Sequence, residues 1–214
     1  MRPAFDTQKY LTAQTAKIKE RLSKFDNKLY LEFGGKLLYD GHAQRVLPGY
    51  EYDAKVQLLK KLKHLEIIYC ISAKDIQRGR IRHDFGLTYD LQALKEIGEI
   101  RAKGLKVSAV VITRFENEPL ALRFKKLLEN SGNKVYIHIE IKGYPHNLKK
   151  ILGKEGFGKQ PFIPTASPLI VITGAGGGSG KMAVCMSQIF HEQSHQVNAG
   201  YAKFETFPIW NLPL

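Results

Sequence analysis

The 214 residues include 43% hydrophobic and 25% charged side chains, an ordinary balance for a folded chain and enough apolar material to exclude disorder as the main state. No apolar run approaches the ~20 residues of a membrane-crossing helix, and residues 1–10 lack the apolar stretch of a secretory signal. The net charge of +13, from 33 Lys and Arg against 20 Asp and Glu, favours anionic partners such as phosphates and nucleotides.

Residues 7–24 have helical spacing, with Leu11, Ile18 and Leu22 on one stripe. An apolar piece at 29–33 stops at Gly34 and Gly35, and residues 36–39 follow as the second arm of an expected hairpin. From residue 52 the pattern becomes regular. It predicts a helix over 52–62, a buried strand over 65–72, a helix over 89–102, a strand over 106–113 and a helix over 119–130. A strand over 134–141, a short helix over 148–152, a strand over 169–173 and a helix over 179–195 complete it. Residues 76–85 read as irregular, and 153–168 as a long loop. Strands that are apolar throughout and spaced by single helices indicate a parallel sheet covered on both faces. The expectation is an α/β chain whose Rossmann-like three-layer core spans 51–203, behind a helix-and-hairpin extension over 1–50. Residues 204–214, with Phe204, Phe207, Ile209 and Trp210, read as the exposed start of a missing C-terminal region, so the chain is expected to be truncated. Cys70 and Cys185 sit in apolar surroundings and read as buried, reduced thiols of a cytoplasmic protein.

The strongest chemical signal is the run Thr173–Lys181, TGAGGGSGK, between the last apolar strand and an amphipathic helix. Successive glycines let backbone N–H groups wrap an anion, and the helix N-terminus adds partial positive charge. Gly174, Gly176, Gly177, Gly178, Ser179 and Gly180 would form the cradle, and Lys181 would supply a full charge. The run resembles a Walker A loop but departs from it twice. Ala175 stands where the first glycine belongs, and Met182 replaces the Ser or Thr that holds Mg²⁺. No apolar strand ending in an acid follows; Asp75 and Glu116 are conceivable substitutes. The dinucleotide pattern fits less well, because no acid lies at the expected spacing after the loop.

A second signal is His191-Glu192-Gln193-Ser194-His195, which matches H-E-x-x-H. On a helix the two histidines share a face and can bind Zn²⁺, with the Glu as general base. A third ligand has no placed candidate: Asn198 and Tyr201 stand where the longer form has Gly and His. Zinc is therefore not expected. His83-Asp84-Phe85-Gly86 matches a kinase metal loop without its companions. The loops 32–36 and 155–159 each place Gly and Lys together and read either as turns or as further walls of an anion site around Lys181. His42 and Arg45 are candidate polar site groups, and His138 reads as a satisfied strand residue. The basic residues are spread over helix faces and read as solvated surface, with no specific nucleic acid and no membrane as partner.

Taken together, KLYLEFGGKL (28–37), HAQRVLPG (42–49), KGYP (142–145), EGFGK (155–159), GSGKM (178–182) and GYAKFETFPIWNL (200–212) resemble the bacterial family called domain of unknown function 1846, an uncharacterised protein family. The resemblance spans nearly the whole chain. It implies a Rossmann-like N-terminal portion carrying the Gly-rich loop, in proteins much longer than this chain. It also implies that Met182 is the family's own form of the loop, that His191 and Glu192 belong to the family pattern and that His195 does not. It supplies no settled activity.

Three readings follow. The first is a nucleotide- or phosphometabolite-binding domain of a larger enzyme, with a nucleotide as the cofactor class. The second is a zinc metallohydrolase using His191, Glu192 and His195. The third is a non-catalytic interaction module. The sequence assigns no reaction and leaves homo-oligomer formation open.

Overall fold

The computed structural model describes residues 5–26, 28–82 and 86–205. Helix α1 (Thr7–Leu22) begins at Asp6, whose carboxylate accepts from the Lys9 N–H at 3.0 Å, an N-cap that satisfies one of the helix's free donors. It leads to strand β1 (Leu29–Phe33). Helices α2 (Gly41–Val46) and α3 (Ala54–Leu62) then carry the chain to β2 (Leu65–Ser72). A short helix α4 (Ala73–Gln77) and a two-stranded ribbon, β3 (Ile81–Arg82) with β4 (Leu87–Thr88), precede α5 (Tyr89–Ala102). Next come β5 (Val107–Phe115), α6 (Pro119–Asn130), β6 (Val135–Ile139) and α7 (Leu148–Ile151). The described chain closes with β7 (Leu169–Gly174), α8 (Lys181–Ser194) and β8 (Gly200–Phe204).

Six strands form one parallel sheet in the order β6-β5-β2-β7-β1-β8, as the apolar strands predict. Side chains alternate between its faces. Leu29, Leu31, Phe33, Leu169 and Val171 enter the larger core, together with residues of α1, α3, α5 and α6. Tyr30, Ile170 and Ile172 enter the second core with Val184 and Cys185 of α8. Cys70 and Cys185 are both buried and free. No helix among the described residues is long and apolar enough to cross a membrane.

Two expectations need correction. The hairpin over residues 29–39 is not formed: β1 lies between β7 and β8, parallel to both. All five of its residues are buried, so it needs covers on both faces and partners on both edges, which a hairpin arm does not provide. Phe204 is not exposed. It ends β8, is 5% accessible and stacks on Phe33 with ring centroids 4.6 Å apart. Phe207, Ile209, Trp210 and the 83–85 part of the kinase-like tetrapeptide lie outside the described residues. Residues 76–85, expected to be irregular, contribute the end of α4 and strand β3.

The chain order places the functional region. From β2 it runs outward through β5 to β6, then returns to β7 on the opposite side of β2. Loops leaving β2 and β7 therefore diverge, and ligands in open α/β sheets bind in the crevice at such a reversal, beyond the carboxyl ends of the strands. The Gly-rich loop follows β7.

Candidate functional site

The loop leaves β7 under two restraints. The Ala175 N–H donates to the Cys70 carbonyl at 3.1 Å, and the Arg82 guanidinium donates to the Ala175 carbonyl at 2.7 Å. Arg82 also binds Glu96 at 2.8 Å, and Glu96 receives Tyr69 and Gln92. This buried network fixes where the loop starts. Its end is fixed by Thr113 of β5, whose hydroxyl donates to the Ser179 carbonyl at 2.9 Å. Gly180 then caps α8 in the left-handed region, at φ +77°, a conformation that favours glycine.

Between these anchors the backbone N–H groups from Gly176 to Ala183 make no hydrogen bond to another protein group among the described residues. They include the free donors of the first turn of α8, the positive end of a 14-residue helix. Lys181 folds over the loop: its ammonium donates to the Gly176 carbonyl at 3.0 Å and to Ser179 Oγ at 3.2 Å. An ammonium has three donors, so one more can serve a ligand. Met182, 42% exposed, has its sulfur 3.7 Å from Tyr144 Oη. A thioether is a poor ligand for Mg²⁺, which takes hard oxygens.

A cavity of about 470 Å³ opens against this loop, lined also by the carboxyl ends of β1, β5 and β6, a size suited to a small molecule. Of three further wall residues, the sequence reading did not single out Arg114 or Tyr144 for this site, and it took Glu32 only as part of the loop 32–36. Arg114 sits at φ +54° in a register shift between β5 and β6. Such a bulge re-aims a side chain, and a non-glycine residue there persists only where the surroundings enforce it. Arg114 is exposed, is one of the residues lining the cavity, and its side chain has no hydrogen-bond or ion-pair partner among the described residues. Glu32, at the β1 end, is 6% accessible. Tyr144 stands at the rim. The detectable signal was position: each lies at or just beyond a strand's carboxyl end. Glu140, also in the wall, is held by Lys74, which also pairs with Glu116 at 3.3 Å.

Also in the cavity wall, His138 has its ring 3.2 Å from Ser187 Oγ. Burial pushes its pKa down to about 4, so the imidazole is neutral near pH 7.

A second, smaller cavity of about 270 Å³ lies where Gly35 and Lys36 face Gly174–Gly177. The loop after β1 is tied there by Lys55, a fully buried lysine. It donates to the carbonyls of Gly34 at 2.9 Å and Lys36 at 2.8 Å and pairs with Asp40 at 3.0 Å. Burial lowers its pKa, and Asp40 opposes that shift. Of the two Gly-Lys loops, only 32–36 thus approaches the glycine-rich run. Residues 155–159 line neither of these two cavities; Glu155 lines a third, of about 420 Å³, with Asn147, Lys149 and Lys150, and Phe157 packs in a small cluster with Phe190 of α8. Asp75 binds Arg80, and neither it nor Glu116 lines a cavity wall at the loop. Arg45 is exposed on α2.

The H-E-x-x-H residues do not converge. Glu192 is buried and accepts from Tyr30 Oη at 2.7 Å, with Lys28 3.6 Å away. His191 contacts the Gln160 carbonyl at 2.7 Å, and His195 caps the helix end beside Phe162. Among the described residues no group of three His, Cys, Asp or Glu is placed to hold a metal ion. The pentapeptide's acid is used to join α8 to the sheet.

The family model described as "Domain of unknown function DUF1846, N-terminal" matches residues 3–214. The chain belongs to the DUF1846 family. Its relatives include UPF0371 proteins of Clostridium tetani and Clostridium botulinum, each 52% identical over the whole chain, and one of Streptococcus pyogenes, 51% identical over 99% of it. The DUF1846 chain spans 43% of the length of these relatives. The resemblance seen in the GSGKM and EGFGK stretches is thereby shown to be membership.

Proposed function

We propose that this DUF1846 domain binds a phosphorylated small molecule, a nucleotide or phosphometabolite, as part of a larger cytoplasmic enzyme. The observation that carries the reading is the run of unpaired N–H groups from Gly176 to Ala183 at the edge of a cavity whose lining includes Arg114, a residue with no side-chain partner among the described residues. Such donors suit an anion. Phosphate would sit against the first turn of α8, take the remaining Lys181 donor and face Arg114.

Arg114→Ala is the cleanest variant, because the side chain holds nothing else among the described residues. Losing one charge-assisted contact, worth about 1.5–3 kcal/mol, lowers affinity about ten- to a hundredfold. A thermal-shift screen of ATP, ADP, AMP and sugar phosphates, followed by calorimetric titration of the best ligand, checks this. Lys181→Ala should weaken binding as well, while also loosening the loop it closes. Added sulfate should compete. Equal affinities in wild type and both variants, or no binding by any phosphate, would refute the reading.

A further inference from the structure

Glu32 is an unusual wall for an anion site. It lies at the end of β1, in register with Ile172 of β7, the strand that carries the loop. One carboxylate oxygen accepts from Tyr201 Oη at 2.7 Å. The other has no hydrogen-bond or ion-pair partner among the described residues, although the residue is 6% accessible and lines the cavity. A carboxylate is an acceptor only, and the free oxygen of Glu32 is not among the fully buried, unpartnered side-chain atoms, so it is open to a donor. The cavity is the side from which a donor can reach it.

We propose that the ligand is a polyhydroxylated phosphate, a sugar phosphate or nucleoside phosphate, whose hydroxyls donate to Glu32. This rests on the phosphate reading above and narrows it. A ligand ammonium would also donate, but it would face Lys181, Arg114 and the positive end of α8. A hydroxyl carries no charge to be repelled. In dinucleotide-binding sheets an acid holds ribose hydroxyls near a glycine-rich phosphate loop. Here the acid comes from an earlier strand that the sheet brings beside β7, so no spacing after the loop reveals it. Tyr201 is a positioning residue that holds the carboxylate in place.

The test compares esters that share the phosphate and differ in hydroxyls. AMP, ribose 5-phosphate and glucose 6-phosphate are titrated into the wild-type chain by calorimetry, beside propyl phosphate and 2′,3′-dideoxy-AMP. At least one hydroxylated ester should bind about tenfold or more tightly than its hydroxyl-poor counterpart, as expected for hydrogen bonds to a charged acceptor. Glu32→Gln should erase that advantage. If propyl phosphate binds as well as every hydroxylated ester, or the advantage survives Glu32→Gln, the inference is overturned while the phosphate reading stands. If no ester binds, both fall. Should Glu32→Gln fail to fold, the wild-type comparison alone decides.

Discussion

Replacing Gly180 by alanine puts the geometry of the loop under direct test. A methyl group there would lie 2.8 Å from both Cβ and Oγ1 of Thr113 and 3.0 Å from its Cγ2. Thr113 is buried, and its hydroxyl holds the Ser179 carbonyl, so it has little freedom to move. Two terms add. Left-handed backbone at φ +77° disfavours an L-residue by about 1–2 kcal/mol. Crowding in a packed site adds about 1–3 kcal/mol. Gly178→Ala is the internal control: its φ is +75°, but nothing lies within 4 Å of the new methyl, so only the backbone term of about 1–2 kcal/mol applies. With a urea dependence of about 2 kcal/mol per molar, the unfolding midpoint should fall by about 1–2.5 M for Gly180→Ala and by about 0.5–1 M for Gly178→Ala. Urea titrations followed by far-ultraviolet circular dichroism measure both. Equal midpoints for the two variants would mean that the loop does not rest against β5, and the site built on that contact would be wrong.

His138 is neutral in the fold and has a pKa of about 4, against about 6.5 when unfolded. The unfolded chain therefore binds more protons between these values. Stability should fall as pH drops from about 6.5 to 4, by up to about 3 kcal/mol, and His138→Gln should flatten that slope in urea titrations. A wild-type slope unchanged by the substitution would refute this. Burial pushes the Cys70 thiol up to about 12 and raises Cys185 as well. Both should resist Ellman's reagent in the native state and react on unfolding, and rapid native labelling would contradict the packing. Glu192→Ala should destabilise by about 1–3 kcal/mol, because it leaves the buried Tyr30 hydroxyl without its acceptor, whereas His195→Ala at the exposed helix end should stay within about 0.5 kcal/mol. Similar losses for the two would show that the pentapeptide acts as a unit.

Local periodicity alone determined several elements of this DUF1846 chain. The strand at 65–72 and the helices at 89–102 and 119–130 coincide with β2, α5 and α6. Each is long enough for its apolar spacing to select one structure, and Gly and Pro close the boundaries. The glycine run between β7 and α8 was legible for the same reason: its chemistry lies within a few consecutive residues. Short pieces were not. Five buried residues at 29–33 are compatible with either a hairpin arm or an inner strand, and only partners more than a hundred residues away, Leu169–Ile172 and Gly200–Phe204, select the second. The same pairing carries Glu32 to the loop and turns Phe204 inward. Arg114 needs the β5–β6 register shift, and Glu192 is diverted from its motif by Tyr30 on another strand. Sequence spacing encodes which face of its own element a residue occupies. What it meets across the sheet depends on strand order, which long-range packing decides.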